Sequence, residues 1–80
     1  MKTRLSISLE LREDRCYESL VLRLLGLGAV HVLPTHWILE TSLTVDDIRR
    51  DLQDHIDPAD RILVTQVTSM SSRNLIDNAA

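Results

Sequence analysis

"HIDPADRILV", residues 55–64, decides the fold, because the chain passes there from one periodic pattern to another. Upstream, Val45, Ile48, Leu52 and Ile56 recur at helical spacing, with Arg49, Arg50, Asp51 and Asp54 on the opposite, wet side. Downstream, "RILVTQV" at 61–67 is short, rich in β-branched residues and apolar on both faces, which predicts a strand. Between them stand Asp57, Pro58 and Asp60. Proline presets φ for a turn and Asp side chains bond nearby backbone, so these residues predict a tight link from a helix into a final strand. Asp57 and Asp60 can also be read as a cation site completed by backbone oxygens, but turn chemistry accounts for both.

Toward the N-terminus, the second helix opens at "TVDD", where Thr44 can cap and Asp47, three residues on, can bond back to it. Before it, "AVHVL" (29–33) and "HWILET" (36–41) are parted only by "PT" and must form an antiparallel hairpin. Pro34 has no amide to donate and belongs in that turn or on a sheet edge. "TRLSISLEL" (3–11) alternates Leu5, Ile7, Leu9 and Leu11 against Arg4, Ser6, Ser8 and Glu10, the pattern of a half-buried strand. Tyr17, Leu20, Val21, Leu24 and Leu27 then repeat at helical spacing. They predict a first helix from Arg15 to Leu25, with Asp14 as cap and Gly26 and Gly28 to end it. The order is β-α-β-β-α-β. With right-handed crossovers it predicts an α+β, ferredoxin-like domain over 1–67: a four-stranded antiparallel sheet, two helices on one face, strands one and three central, strands two and four at the edges. The remainder, 68–80, reads as a C-terminal tail that is flexible unless Leu75 and Ile76 dock on a partner subunit.

At 80 residues the chain is one domain near the lower limit for a self-sufficient core, so partner surface is expected. Hydrophobic residues make up 44% but aromatics only 2%, leaving Leu, Ile and Val to build the core around Trp37 and Tyr17. A single cysteine, Cys16, excludes an intrachain disulfide and a cysteine-based metal cluster, which fits a reducing, cytoplasmic setting. The first residues are polar on alternate positions, unlike a signal peptide, and no run is long enough to span a membrane, so a soluble protein is expected. The net charge of −3 opposes nucleic-acid binding by charge alone. The N-terminal part is the less acidic: Lys2, Arg4, Arg12, Arg15 and Arg23 stand there against Glu10, Glu13, Asp14 and Glu18.

Several short pieces, in order, carry a resemblance: "SLEL" at 8–11, Tyr17, "LGA" at 27–29, "THW" at 35–37 and "IDPADRI" at 56–62. Over residues 4–67 the chain resembles the Cas-two-like family, the small ferredoxin-like CRISPR-associated proteins and especially their stand-alone relatives outside CRISPR loci. The resemblance implies a homodimer associated with nucleic acid in defence or mobile-element biology, either a metal-dependent nuclease using Mg²⁺ or Mn²⁺ or its inactive binding descendant. In that family an Asp at the end of the first strand of each subunit lies near the dimer axis and can hold the ion. The matching position here is Glu10, which would be both metal ligand and catalytic residue. Its extra methylene moves the carboxylate from where an Asp would place it, and Mg²⁺ demands near-octahedral geometry.

The residues alone also admit plainer readings. Glu10 can be a solvated carboxylate at a strand end. Arg12, Arg15 and Arg23 can touch phosphates or form an ordinary charged face, and Arg61 is expected to pair with Glu10 or the turn acids. His31 and His36, on the two hairpin strands, make two ligands at most, too few for zinc. Cys16 sits where a helix dipole can lower a thiol pKa, though a small packing role is commoner. Trp37 is expected in the core or an interface, since a base-stacking platform wants further aromatics. The alternative function is therefore a non-enzymatic dimerisation or adaptor module that binds another protein. A third is a toxin-like ribonuclease resembling virulence-associated protein D, which requires a competent Glu10 pair.

Overall fold

The computed structural model of the chain describes residues 2–12 and 17–76. They form β1 (Thr3–Glu10), α1 (Glu18–Gly26), β2 (Val30–Leu33), β3 (His36–Thr41), α2 (Val45–Gln53) and β4 (Arg61–Val67). All strand pairs are antiparallel, in the order β2-β3-β1-β4. This is the ferredoxin-like α+β arrangement, with β1 and β3 central. Residues 13–16, where Asp14, Arg15 and Cys16 were read as the start of the first helix, lie outside the described residues.

The alternation in β1 places Leu5, Ile7 and Leu9 in one buried layer with Trp37 and Leu39 of β3. Leu20 and Leu24 of α1 and Ile48 and Leu52 of α2 close that layer, so both helices cover the same sheet face. Val45 of α2 flanks it, and so does Ile56, which lies beyond the end of α2 at Gln53 rather than within the helix as its spacing suggested. Ile7 and Trp37 are direct partners in the β1–β3 register, and His31 of β2 stacks on Trp37 with ring centroids 4.4 Å apart.

Both helix boundaries follow from local chemistry. At the start of α2 the Asp47 amide donates to Thr44 Oγ1 at 3.1 Å and the Thr44 amide donates to Asp47 Oδ2 at 3.1 Å, a capping box. At the end of α1 Gly28 adopts φ 87°, a left-handed conformation that costs glycine little. The Gly28 amide donates to Leu25 O and the Ala29 amide to Leu24 O, both at 3.0 Å, which is a Schellman closure. Ala29 and Leu24 are both buried in the same core cluster.

The other sheet face is polar along β1 but not along β2 and β3. Val32 and Ile38 lie there, only 3% and 7% exposed, although no helix covers them. Leu75, from the segment after β4, packs against them and Val30. Within the described residues, the segment after β4 therefore docks on the chain's own sheet through Leu75. Among the described residues no helix is long and apolar enough to cross a membrane.

Candidate functional site

The expected catalytic position, Glu10, closes β1 on the open face, directly opposite Arg61, the first residue of β4. Glu10 Oε2 lies 3.8 Å from Arg61 Nη1, with the two side chains 73% and 80% exposed. Two steps back along the same face, Ser8 stands between its register partners His36 on β3 and Leu63 on β4. Ser8 Oγ and His36 Nε2 are 2.6 Å apart, and His36 Nδ1 lies 3.4 Å from Thr35 Oγ1. A shallow hollow runs between the ends of β1 and β4, lined by Ser8, Glu10, Arg61 and Leu63.

This end of the face therefore presents one carboxylate with a cation beside it, a serine–histidine hydrogen bond and an exposed leucine. For Mg²⁺ or Mn²⁺ the donor set within one chain does not fit. Among the described residues no group of three or more His, Cys, Asp or Glu side chains converges, and the single carboxylate at the expected site faces a guanidinium. Nor do the two hairpin histidines come together. His31 stacks on Trp37 on the helix-covered side, whereas His36, the neighbour of Trp37 in β3, points to the other face and bonds Ser8.

Behind this end of β1 lies the acidic turn. The Asp60 amide donates to Asp57 O at 2.9 Å and the Ala59 amide donates to Asp57 Oδ1 at 2.9 Å, closing the turn in the way Asp and Pro were expected to. Asp60 does more than that. Its carboxylate accepts from the Tyr17 hydroxyl at 2.6 Å, the Asp57 amide at 2.8 Å and the Arg12 amide at 3.1 Å. It thus ties the exit of β1, the start of α1 and the entry to β4 together. Burial acts to raise the Asp60 pKa, but the Tyr17 and backbone hydrogen bonds outweigh it and hold the carboxyl below its ordinary range. Burial pushes the Tyr17 phenol up, and its hydrogen bond to Asp60 adds to the shift.

Two of the three arginines expected at phosphates are engaged with carboxylates. Arg12 Nη1 lies 3.9 Å from Asp57 Oδ1. Arg23 on α1 grips Asp51 on α2 with two donors, Nε to Oδ1 at 2.8 Å and Nη2 to Oδ2. The hydrogen bond to Asp51 raises the Arg23 pKa, and the same bond lowers that of Asp51. Arg15 lies outside the described residues. Arg4, on the open face, donates to Glu40 at 3.1 Å.

Apolar residues, by contrast, remain uncovered. Leu63 of β4 is 61% exposed, and Val21, Leu22 and Leu25 form an outward face on α1. β4 is an edge strand, so its outer backbone groups have no strand partner within the sheet. The Ser8–His36 contact and the Asp60 hub escaped the sequence reading because each depends on register between distant segments. Helical spacing marks Tyr17 and turn chemistry marks Asp60, each apart from the other, and nothing in either pattern joins them. No family model, curated protein or solved structure matches the chain.

Proposed function

We propose that the chain is a non-enzymatic dimerisation and adaptor module that associates through the free edge of β4. The observation that carries this reading is Leu63, 61% exposed on an edge strand that is apolar on alternate residues of both faces. Ile62 and Val64 pack toward the helices, while Leu63 and Val67 alternate onto the open face. An exposed apolar edge is a template for pairing with another chain, and small domains gain most from such added burial. A two-fold axis at β4 would continue the sheet from one copy into the next with self-complementary contacts. The occupied arginines point the same way, since a nucleic acid would have to displace Asp57 and Asp51 from Arg12 and Arg23. The test is Leu63→Lys, which places a charge on that edge. Sedimentation velocity should show the parent as a dimer and the variant as a monomer; a variant that stays dimeric refutes the β4 assignment.

One observation favours a second reading, a Cas-two-like, nucleic-acid-associated nuclease. Glu10 is exposed at the end of a central strand, on the face that no helix covers, where a second copy can bring its own Glu10. That reading requires Arg61 to leave Glu10, and it requires two chains to assemble the metal ligands.

A further inference from the structure

We propose that residues 68–76 form an edge guard: a strap that closes the β2 side of the sheet and so limits association to the β4 side. The inference rests on the β4 reading above. An open four-stranded sheet has two edges, and if both are free to pair, each copy can add another at either end and assembly does not close. The two edges differ in this chain. β4 is seven residues long and bears the exposed Leu63. β2 is four residues long, irregular in register between His31 and Leu33, and has its Val32 carbonyl bonded by the Ile76 amide.

That amide belongs to the chain's own tail. After β4 the chain leaves one edge of the sheet and reaches the β2–β3 side, where the Ile76 amide donates to Val32 O at 2.9 Å. Leu75 lies against Val30, Val32 and Ile38 on the face away from the helices. Asn74, at φ 57°, directs the chain there; Asn tolerates this left-handed conformation better than most residues. Residues 68–74 are exposed and belong to no helix or strand, so the strap is held by its tip. A segment so attached opens more readily than the sheet it covers. Opening uncovers Val32 and Ile38 together with the Val32 carbonyl, an apolar patch beside a strand edge, which is the combination that invites a further strand.

The test compares the full chain with Leu75→Asp, Leu75→Ala, Leu63→Lys and the Leu63→Lys/Leu75→Asp pair, using light scattering against concentration and amide exchange at Ile76. The full chain should rise no further than a dimeric mass. Leu75→Asp should speed Ile76 exchange by about tenfold or more and produce masses that rise reversibly with concentration, with Leu75→Ala following more weakly. The pair should stop at a dimer, because only the β2 edge remains. Equal Ile76 exchange in the full chain and Leu75→Asp overturns the strap. Faster exchange with an unchanged dimeric mass overturns its role in limiting assembly. A monomeric full chain beside an associating Leu75→Asp variant refutes the β4 reading alone and supports the guard; two monomers refute both.

Discussion

Trp37→Ala separates a core residue from a recognition residue. Trp37 is 7% exposed, lies opposite Ile7 in the register and stacks on His31 at 15° between ring planes. Truncating a buried aromatic costs about 3–5 kcal/mol in lost transfer energy and cavity formation. The stacked pair accounts for about 0.5–1.5 kcal/mol beyond area burial, so His31→Ala should reproduce only that part. A domain of this size has a total stability of about 4–12 kcal/mol, at roughly 0.05–0.15 kcal/mol per residue. Trp37→Ala therefore removes a large fraction of it and should lower the melting midpoint by at least about 12 °C, at ~4–8 °C per kcal/mol. Far-UV circular dichroism during thermal and urea unfolding measures this without a tryptophan signal. A midpoint within a few degrees of the parent refutes the packing account and makes Trp37 a surface for a ligand.

Other outcomes follow from the caps, the carboxylates and Glu10. Thr44→Ala should cost about 1 kcal/mol through loss of the capping box, read as a lower urea midpoint with an unchanged slope; no change would mean that the box contributes nothing. Asp47, Asp51 and Asp60 all have folded pKa values below the ordinary 3.8, so their stabilisation is present above that value and is lost as pH falls through the lower, folded values. Asp60→Asn should flatten the acid limb of the stability profile, and an unaltered limb counts against the hub. The Tyr17 phenol is raised above 10.0, so its contribution is complete below that pH and is lost as pH climbs through the folded value; Tyr17→Phe should remove this alkaline loss. On the nuclease reading, Glu10→Gln should abolish Mg²⁺- or Mn²⁺-dependent cleavage of RNA or DNA without moving the melting midpoint. Absence of cleavage by both the parent and Glu10→Asp would end that reading, and cleavage surviving in Glu10→Gln would place the chemistry elsewhere.

What the sequence made legible was whatever nearest neighbours decide. The hairpin strand His36–Thr41, the final strand Arg61–Val67 and the Thr44–Asp47 box depend on alternation, turn chemistry and capping within a few residues, and each stands where its pattern put it. For Arg61 the sequence leaves Glu10 and the turn acids as alternative partners, and the β1–β4 register, which sets Arg61 opposite Glu10, selects the first. Contacts that depend on exact pairing between remote segments were not legible. The hydrogen bond of Tyr17 to Asp60, 43 residues on, and the meeting of Ser8 with His36 require the register of the assembled sheet and helices. The tail is the clearest case. "NLIDNAA" shows apolar residues in a polar context, but that Leu75 covers Val32 and Ile38 of its own chain follows only once those two side chains are known to share the helix-free face.

The association through β4 is tested most directly by the amide protons of Arg61–Val67 at rising protein concentration, read by hydrogen exchange alongside light scattering. Alternate amides of this strand bond to β1 in either state; the others gain partners only when a second copy pairs along the edge. The account predicts that this second set becomes protected as concentration rises, with the mass moving from 9.1 kDa to twice that value. Outer-edge amides that exchange freely at every concentration, in a sample that scatters as 9.1 kDa throughout, would contradict it.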